Sequence, residues 1–299
     1  MPHLLILVVV ASCLWTLWSL YLDRRQMGHV AAHRGAVPAD FQGHVSLEEH
    51  RKAADYTVTR VRLGVVREIV GLAVSFVLLF WGYDRLAALS FGLPAPWHDV
   101  VLVALAYAVN QIVALPFSAY GDFVVEARFG FNKKTPALFI LDIIKQNVIA
   151  AVIGLPLLLA LFWVMSHASG LWWLYAWVGA VCLMVALPPI YTTVIAPLFN
   201  KFVPLADAGL KARIERLMER CGFQAAGLFV MDASRRSAHG NAYFSGFGRT
   251  KRIVLFDTLI ASQSPDEIEA VLAHELGHFK YRHVIYGLMR GAAYMFLAL

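Results

Sequence analysis

The sequence predicts a mainly α protein: a polytopic bundle of membrane helices that carries one small α+β domain. Three observations support this fold class. The chain is 59% hydrophobic and 15% charged, which makes it far more apolar than a soluble domain. It contains five apolar runs that are long enough to cross about 30 Å of hydrocarbon. Residues 199–283 instead have the helix and strand patterns of a small soluble unit.

The five apolar runs are the predicted membrane spans of an N-terminal membrane domain, residues 1–198. They cover residues 4–22, 69–89, 100–119, 148–165 and 171–195. The first run lacks the positively charged start and the cleavage site of a signal peptide, so we expect it to stay as an anchor. A sixth run, residues 284–299, is interpreted as the start of a membrane helix that is cut off at Leu299. We therefore expect residues 1–299 to be a fragment of a longer protein.

Lysine and arginine residues collect in two connections between spans, at about residues 24–67 and 128–145. Because cytoplasmic loops carry an excess of these residues, both connections are predicted to be cytoplasmic. The alternation then places residues 196–283 on the cytoplasmic side too, of the inner membrane in a bacterium or of the endoplasmic reticulum in a eukaryote. The net charge of +6 follows the spans rather than forming one stripe, so it indicates no nucleic-acid partner.

The domain of residues 199–283 is predicted to be α+β. Its start helix, strands and final helix cover residues 207–221, 228–231, 239–247, 252–256 and about 265–282. The final helix has a clear start, because Ser264 precedes a proline and lies three residues before Glu267, which is a capping box. Gly222 is predicted to end the first helix.

The final helix contains His274-Glu275-Leu276-Gly277-His278, the HExxH spacing of zinc peptidases. Because a helix turns about 100° per residue, the two histidines point the same way and can bind one Zn²⁺. Glu275 then lies beside the metal, where it can act as general base on a zinc-bound water. An ordinary surface helix can also carry two histidines and a glutamate without metal.

The strand predicted at residues 239–247, between the other two, offers a place for a substrate. Its glycines suit an edge or a bend, and an edge strand can hold an extended peptide by main-chain hydrogen bonds. An ordinary hairpin strand is the alternative. Arg235 and Arg236 lie just before this strand and His239 lies at its start, where they either bind a substrate carboxylate or form a solvated basic turn.

Several motifs carry a family resemblance. The segment 126–135 lies in the connection after the third span, and five further motifs follow it in order at residues 197–201, 232–237, 241–244, 251–258 and 274–278. Together they resemble the signatures of the CAAX prenyl protease 1 family. The likeness covers most of the chain and is much more specific than HExxH alone.

The resemblance implies a chamber of seven membrane helices with the zinc site facing its interior, and a gluzincin-like zinc-metallopeptidase domain with one Zn²⁺ per chain. It implies an endopeptidase that, in eukaryotic members, removes the last three residues from prenylated CaaX proteins. It assigns zinc binding to His274 and His278, the general base to Glu275, and the grip on the substrate backbone to Asn241 and Ala242.

The third zinc ligand departs from the family pattern. The family supplies a glutamate from a later helix, whereas residues 279–299 contain no aspartate or glutamate, and a catalytic zinc normally has three protein ligands. His283 lies about 180° from His274 on a continuous helix, so we do not expect it to bind zinc. We expect the third ligand beyond Leu299, and this fragment alone to be inactive.

Four polar residues lie in or beside the apolar runs: Asn110, Gln111, Asp142 and Lys145. Such residues are costly when they face lipid. They are expected either to line a wet cavity or to be satisfied within the bundle. In the second case the two amides form interhelical hydrogen bonds, and the two charges form a pair three residues apart.

Two other functions stay open on the sequence alone. One is a broad-specificity quality-control metalloprotease of the membrane, although such proteases have fewer spans before HExxH. The other is a channel, transporter or scaffold in which the histidines bind metal structurally or not at all. The expected partners are the lipid bilayer and a peptide or protein substrate, prenylated or plain, and a monomer is the default. No residue identifies the substrate.

Overall fold

The computed structural model describes residues 2–245 and 251–298. Within them, the helices are α1 Pro2–His33, α2 Leu47–Val77, α3 Tyr83–Leu89, α4 Trp97–Tyr120, α5 Pro136–His167, α6 Trp172–Ile190, α7 Ala196–Phe199, α8 Ala208–Arg220, α9 Asp257–Ser262, α10 Pro265–Lys280 and α11 His283–Ala298. The strands are β1 Phe202–Pro204, β2 Gly227–Met231, β3 Ala242–Ser245 and β4 Arg252–Phe256. Three π-helical segments, Leu78–Gly82, Gly121–Glu126 and Tyr191–Ile195, continue the helices α2, α4 and α6.

Five helical stretches of the described chain are long and apolar enough to cross a membrane. They are His3–His33, Leu47–Leu89, Trp97–Glu126, Pro136–His167 and Ser169–Phe199, with mean hydropathies of 2.0 to 2.7 in their most apolar parts. Nearly all residues of these parts are unburied, as expected where lipid is the surrounding solvent. The predicted fold class, a polytopic helical membrane protein with a small sheet, is confirmed.

The helices are longer than the apolar runs that predicted them. Helix α2 begins at Leu47, well before the predicted residue 69, and α1 continues to His33. Ser46 starts α2 with a capping box, since its Oγ accepts from the backbone N–H of Glu49 at 3.2 Å and its own N–H donates to Glu49 Oε2 at 2.9 Å. Hydropathy marks the part of a helix that lies in hydrocarbon, so it leaves out polar turns beyond it.

The chain divides into two compact units, residues 1–132 and 133–299. In the first unit, α1 packs against α2, and the Ser19 hydroxyl on α1 donates to Glu68 Oε2 on α2 at 2.9 Å. The Tyr56 hydroxyl donates to Glu126 Oε1 at 2.6 Å, which joins α2 to the π-helical end of α4. These two hydrogen bonds satisfy polar side chains between neighbouring helices, as an apolar surrounding favours.

The second unit contains a four-stranded sheet in the order β1-β2-β4-β3. Strands β2 and β4 are parallel, whereas β1 and β3 pair antiparallel with them at the two sides. One face of the sheet packs on α8 and α10 around a core of fully or nearly fully buried side chains: Leu210, Ile214, Leu217, Ile253, Leu255, Leu259, Ile268, Leu272 and Leu276. The sheet therefore gives α10 a fixed support.

The elements of this domain match the predictions closely, with two omissions. Helix α8 follows its N-cap Asp207, and Gly222 adopts a positive φ of 65° after it. The strand predicted over 239–247 is β3, Ala242–Ser245, and positions 246 and 247 lie outside the described residues. The sequence did not predict β1 or α9, which have three and six residues and are too short to show a period.

Helix α10 begins where the capping box predicted and ends earlier than expected. Ser264 N–H donates to Glu267 Oε2 at 2.7 Å, and Glu267 N–H donates to Ser264 Oγ at 3.4 Å. The helix ends at Lys280 instead of 282. Arg282 follows with a positive φ of 57°, a left-handed conformation that favours glycine. The two residues 281 and 282 therefore form a tight turn into α11.

Arg282→Gly tests the conformation of this turn. Glycine adopts a positive φ without a Cβ clash, so the substitution should raise the free energy of unfolding by about 1 kcal/mol. Arg282→Val should lower it, because a β-branched residue is strained there. The measurement is the thermal unfolding midpoint in detergent. Ala270→Gly, on the exposed side of α10, is the control and should destabilise; equal losses from both glycine variants would contradict a left-handed Arg282.

Candidate metal centre

The rotation of α10 about its axis is set by its buried face. Ile268, Leu272 and Leu276 are 1%, 0% and 2% exposed, and they lie four residues apart, on one row of the helix surface. His274 and His278 lie on another row and are exposed, while Glu275 is half-buried. Core packing therefore presents the two histidines together, away from the core.

Arg213 on α8 fixes the start of α10. Its Nε and Nη2 atoms donate to Glu269 Oε2 at 3.1 and 3.0 Å, and Nη2 also donates to the carboxylate of Asp266. These hydrogen bonds, first to Asp266 and then to Glu269, raise the pKa of the Arg213 guanidinium. These charge-assisted hydrogen bonds are directional, so they help to fix the orientation of α10 on α8, which apolar contacts alone define less sharply.

Lys251 and two phenylalanines fix the end of α10. The Lys251 ammonium lies 3.7 Å from the ring centroid of Phe279 and 4.8 Å from that of Phe223, and the two rings meet edge to face at 4.8 Å. Burial lowers the pKa of this ammonium. Because Phe279 follows His278 directly, this cation–π contact holds the backbone next to a candidate ligand.

The two histidines of HExxH have a separation that fits one metal ion. Nε2 of His274 is 3.2 Å from Nε2 of His278. Two nitrogens that each lie about 2.05 Å from a tetrahedral Zn²⁺ are about 3.3 Å apart. This spacing is close to that of two nitrogen ligands of one zinc, and the same contact is a hydrogen bond between the two rings.

The described residues contain no group of three or more His, Cys, Asp or Glu side chains placed to hold a metal ion. His283 does lie near the pair, which corrects the expectation that a continuous helix would place it about 180° from His274. Helix α10 ends at Lys280, and His283 begins α11. Its Nδ1 is 2.7 Å from Nδ1 of His278, on the opposite side of that ring from Nε2.

The residues predicted to hold substrate lie at the outer strand of the described sheet. Ala242 begins β3, which packs against α10, and Asn241 directly precedes the strand. The Phe256 N–H donates to the Asn241 carbonyl at 2.9 Å, so by antiparallel alternation the main-chain groups of Ala242 point away from β4. There the Ala242 N–H donates to Asn241 Oδ1 at 2.8 Å. His239 is exposed, and its carbonyl accepts from Thr258 Oγ1 at 2.8 Å.

Arg236, in the basic turn before β3, is bound within the protein. Arg236 donates from Nε and Nη2 to both carboxylate oxygens of Asp142 on α5, each at 2.8 Å, and from Nη1 to Asn200 Oδ1 at 3.0 Å. The side chains of Arg236 and Asp142 are 15% and 8% exposed. The hydrogen bonds to Asp142 raise the pKa of Arg236. Arg235 pairs with Asp232 at 3.5 Å. The expected solvated turn is therefore wrong for Arg236.

The polar residues of the spans have partners other than those expected. Asp142 pairs with Arg236, and the Lys145 ammonium donates to the Leu198 carbonyl at 2.8 Å, so the expected pair of Asp142 with Lys145 is wrong. Asn110 donates to the Ala106 carbonyl and Gln111 to the Tyr107 hydroxyl, one turn earlier in the same helix. These amide bonds are thus intrahelical rather than interhelical.

Comparisons with known proteins agree with the fold and the motif. The model of the family "CAAX prenyl protease N-terminal, five membrane helices" matches residues 26–201, and that of "Peptidase family M48" matches residues 204–299. The chain is a membrane metallopeptidase of the M48 class by these matches. It belongs to the CAAX prenyl protease 1 family.

Individual relatives support the same assignment. The chain is 37% identical to a CAAX prenyl protease 1 homolog of Oryza sativa subsp. japonica over 97% of this chain and 70% of the relative. It is 37% identical to CAAX prenyl protease 1 of Saccharomyces cerevisiae over 89% of this chain and 61% of the relative. The crystal structure of S. mikatae Ste24p matches with a TM-score of 0.89 and 32% identity over 98% of this chain and 69% of that chain. The chain thus spans about two thirds of the length of these relatives.

A single and a paired substitution test whether Arg236 is a structural residue. Arg236→Gln leaves the Asp142 carboxylate buried without its partner and should lower the free energy of unfolding by about 3–5 kcal/mol. The double variant Arg236→Met with Asp142→Leu should recover most of the lost free energy of unfolding, because no unpaired charge is then buried.

Arg34→Gln is the matched control for Arg236→Gln. Arg34 makes the same bidentate contact, with Asp55, but both side chains are about half exposed. Arg34→Gln should therefore lower the free energy of unfolding much less than Arg236→Gln. A raised KM for peptide with unchanged stability in Arg236→Gln would show instead that Arg236 binds a substrate carboxylate.

Proposed function

We propose that the protein is a zinc metalloendopeptidase whose zinc is held by His274 and His278. The observation that carries the proposal is the 3.2 Å separation of their Nε2 atoms, on a helix that packs against the outer strand β3. A metal that two histidines hold next to the outer strand of the described sheet can polarise the carbonyl of a peptide bound along that strand. Membership of a metallopeptidase family supports this chemistry.

Glu275 is the proposed general base. A bound zinc would supply Lewis acidity, which makes water nucleophilic at neutral pH and polarises a carbonyl. Glu275 lies between the two histidines in the sequence and is half-buried, beside the proposed ligands rather than among them. Its carboxylate would accept the proton of the attacking water and pass it to the leaving amine.

The peptide is proposed to lie along β3 as an added antiparallel strand. Ala242 presents its N–H and C=O away from β4, so an extended chain could pair with both. To do so the peptide has to displace Asn241 Oδ1 from the Ala242 N–H, a hydrogen bond of 2.8 Å. Asn241 thus protects the edge when no substrate is present, as charged or polar groups do at other sheet edges.

The proposed substrates are prenylated CaaX proteins, cleaved before their last three residues. The names of the relatives support this substrate class. The excess of Lys and Arg in the two connections supports a cytoplasmic site, where prenylated C-termini occur. The proposed oligomeric state is a monomer. The five membrane helices and the match of the N-terminal family favour this role over a quality-control protease or a scaffold.

One zinc per chain and a third ligand outside residues 1–299 complete the proposed centre. Since the described residues place only two histidines together in this way, residues 1–299 alone should bind zinc weakly and cleave no peptide. Equilibrium dialysis with Zn²⁺, followed by metal analysis, checks this expectation. A tight, stoichiometric zinc in residues 1–299 would contradict the proposed third ligand.

Glu275→Gln tests the proposed reaction. In the full-length protein that contains this chain, the variant should keep its zinc but lose peptide cleavage, because glutamine cannot accept the proton of the attacking water. The measurement is the cleavage rate at matched zinc content, with a prenylated and a plain version of one CaaX peptide. Faster cleavage of the prenylated peptide is expected.

Glu219→Gln is the control for that experiment. Glu219 is exposed near the end of α8, so the same chemical change there should leave cleavage unchanged. Normal cleavage by the Glu275→Gln protein would rule out Glu275 as the base. Equal rates for the two peptides would remove the prenyl group from the proposed substrate while leaving the metallopeptidase intact.

A further inference from the structure

His283 contacts one of the two proposed zinc ligands. Its Nδ1 is 2.7 Å from Nδ1 of His278, whereas Nε2 of His278 is 3.2 Å from Nε2 of His274. The two ring nitrogens of His278 therefore have different partners. The rings of His278 and His283 meet edge to face, with centroids 5.0 Å apart, a geometry in which one nitrogen can donate to the other.

This hydrogen bond has two forms, because a neutral imidazole has one donor and one acceptor nitrogen. If His283 donates, the proton of His278 is on Nε2, and that atom cannot bind a metal. If His278 donates from Nδ1, its Nε2 keeps a lone pair, which can bind a metal or accept a hydrogen bond from His274. Only the second form is compatible with zinc binding by His278 through Nε2.

We propose that His283 is a positioning residue, which accepts a hydrogen bond from Nδ1 of His278 and so holds that ring in the tautomer and orientation that bind zinc. The inference rests on the proposed function, because it takes His278 as a ligand. Metal-binding histidines usually donate their second nitrogen to an acceptor that fixes the ring, most often a carboxylate or a carbonyl. In this chain the acceptor is a second imidazole, at the first residue of α11.

The turn between α10 and α11 brings His283 into position. It consists of Tyr281 and Arg282, and Arg282 keeps a positive φ of 57° that an arginine adopts at a cost. Residues held in such conformations cluster at functional sites. The Tyr281 ring stacks on the His283 ring at 5.9 Å and 21°, so the turn supplies both the location of the imidazole and a surface against which it packs.

The test is the zinc affinity of the full-length protein that contains this chain, measured by competition with a chromophoric chelator. His283→Leu removes the acceptor and should weaken zinc binding about 10–100-fold. His283→Asn should retain most of the affinity, because Oδ1 of asparagine lies at about the position of Nδ1 and also accepts. His44→Leu removes an exposed histidine elsewhere and is the control, while His278→Ala removes the proposed ligand itself.

The outcomes separate this inference from the proposed function. Loss of zinc in His278→Ala with wild-type affinity in His283→Leu would overturn the role of His283 and leave the metal site intact. Equal losses in the leucine and asparagine variants would overturn it too, since packing rather than an acceptor would then matter. Unchanged zinc in His278→Ala would overturn the metal site. The thermal unfolding midpoint of each variant identifies any loss that comes from misfolding.

Discussion

The packing of one face of α10 against the small sheet is the constraint on which the rest of the site depends. Leu272 and Leu276 are almost completely buried, so α10 cannot rotate without opening the core of the second unit. That fixed rotation places the two histidines of HExxH side by side, with their Nε2 atoms 3.2 Å apart. The hydrophobic effect thus supplies the stability of the domain and, through the helical repeat, the direction of two polar side chains.

Polar contacts then refine what the apolar packing sets. Arg213 fixes the start of α10 and Lys251 its end, and the Arg236–Asp142 pair joins the turn before β3 to membrane helix α5. This ion pair is largely withdrawn from water, where its loss is expected to cost more than that of an exposed pair. The proposed substrate edge and the proposed ligands therefore lie on elements that are supported at several points, as a precise site requires.

The parts of the fold that local chemistry determines were predictable from the sequence. The five spans follow from apolar runs, and the start of α10 follows from Ser264 and Glu267. The end of α10 was not predictable, because Arg282 adopts a left-handed conformation without the glycine that usually marks it. The Arg236–Asp142 pair joins residues 94 positions apart, so no local pattern reveals it. The position of His283 was missed because it depends on that unmarked turn.

The proposed metal centre holds one zinc through Nε2 of His274 and Nε2 of His278. X-ray absorption at the zinc edge, on the zinc-loaded full-length protein that contains this chain, tests it most directly because it counts imidazole ligands. Two imidazole nitrogens at about 2.0–2.1 Å are expected, with one fewer in His278→Ala. A zinc environment without imidazole, or a spectrum that His278→Ala leaves unchanged, would contradict zinc binding by this pair.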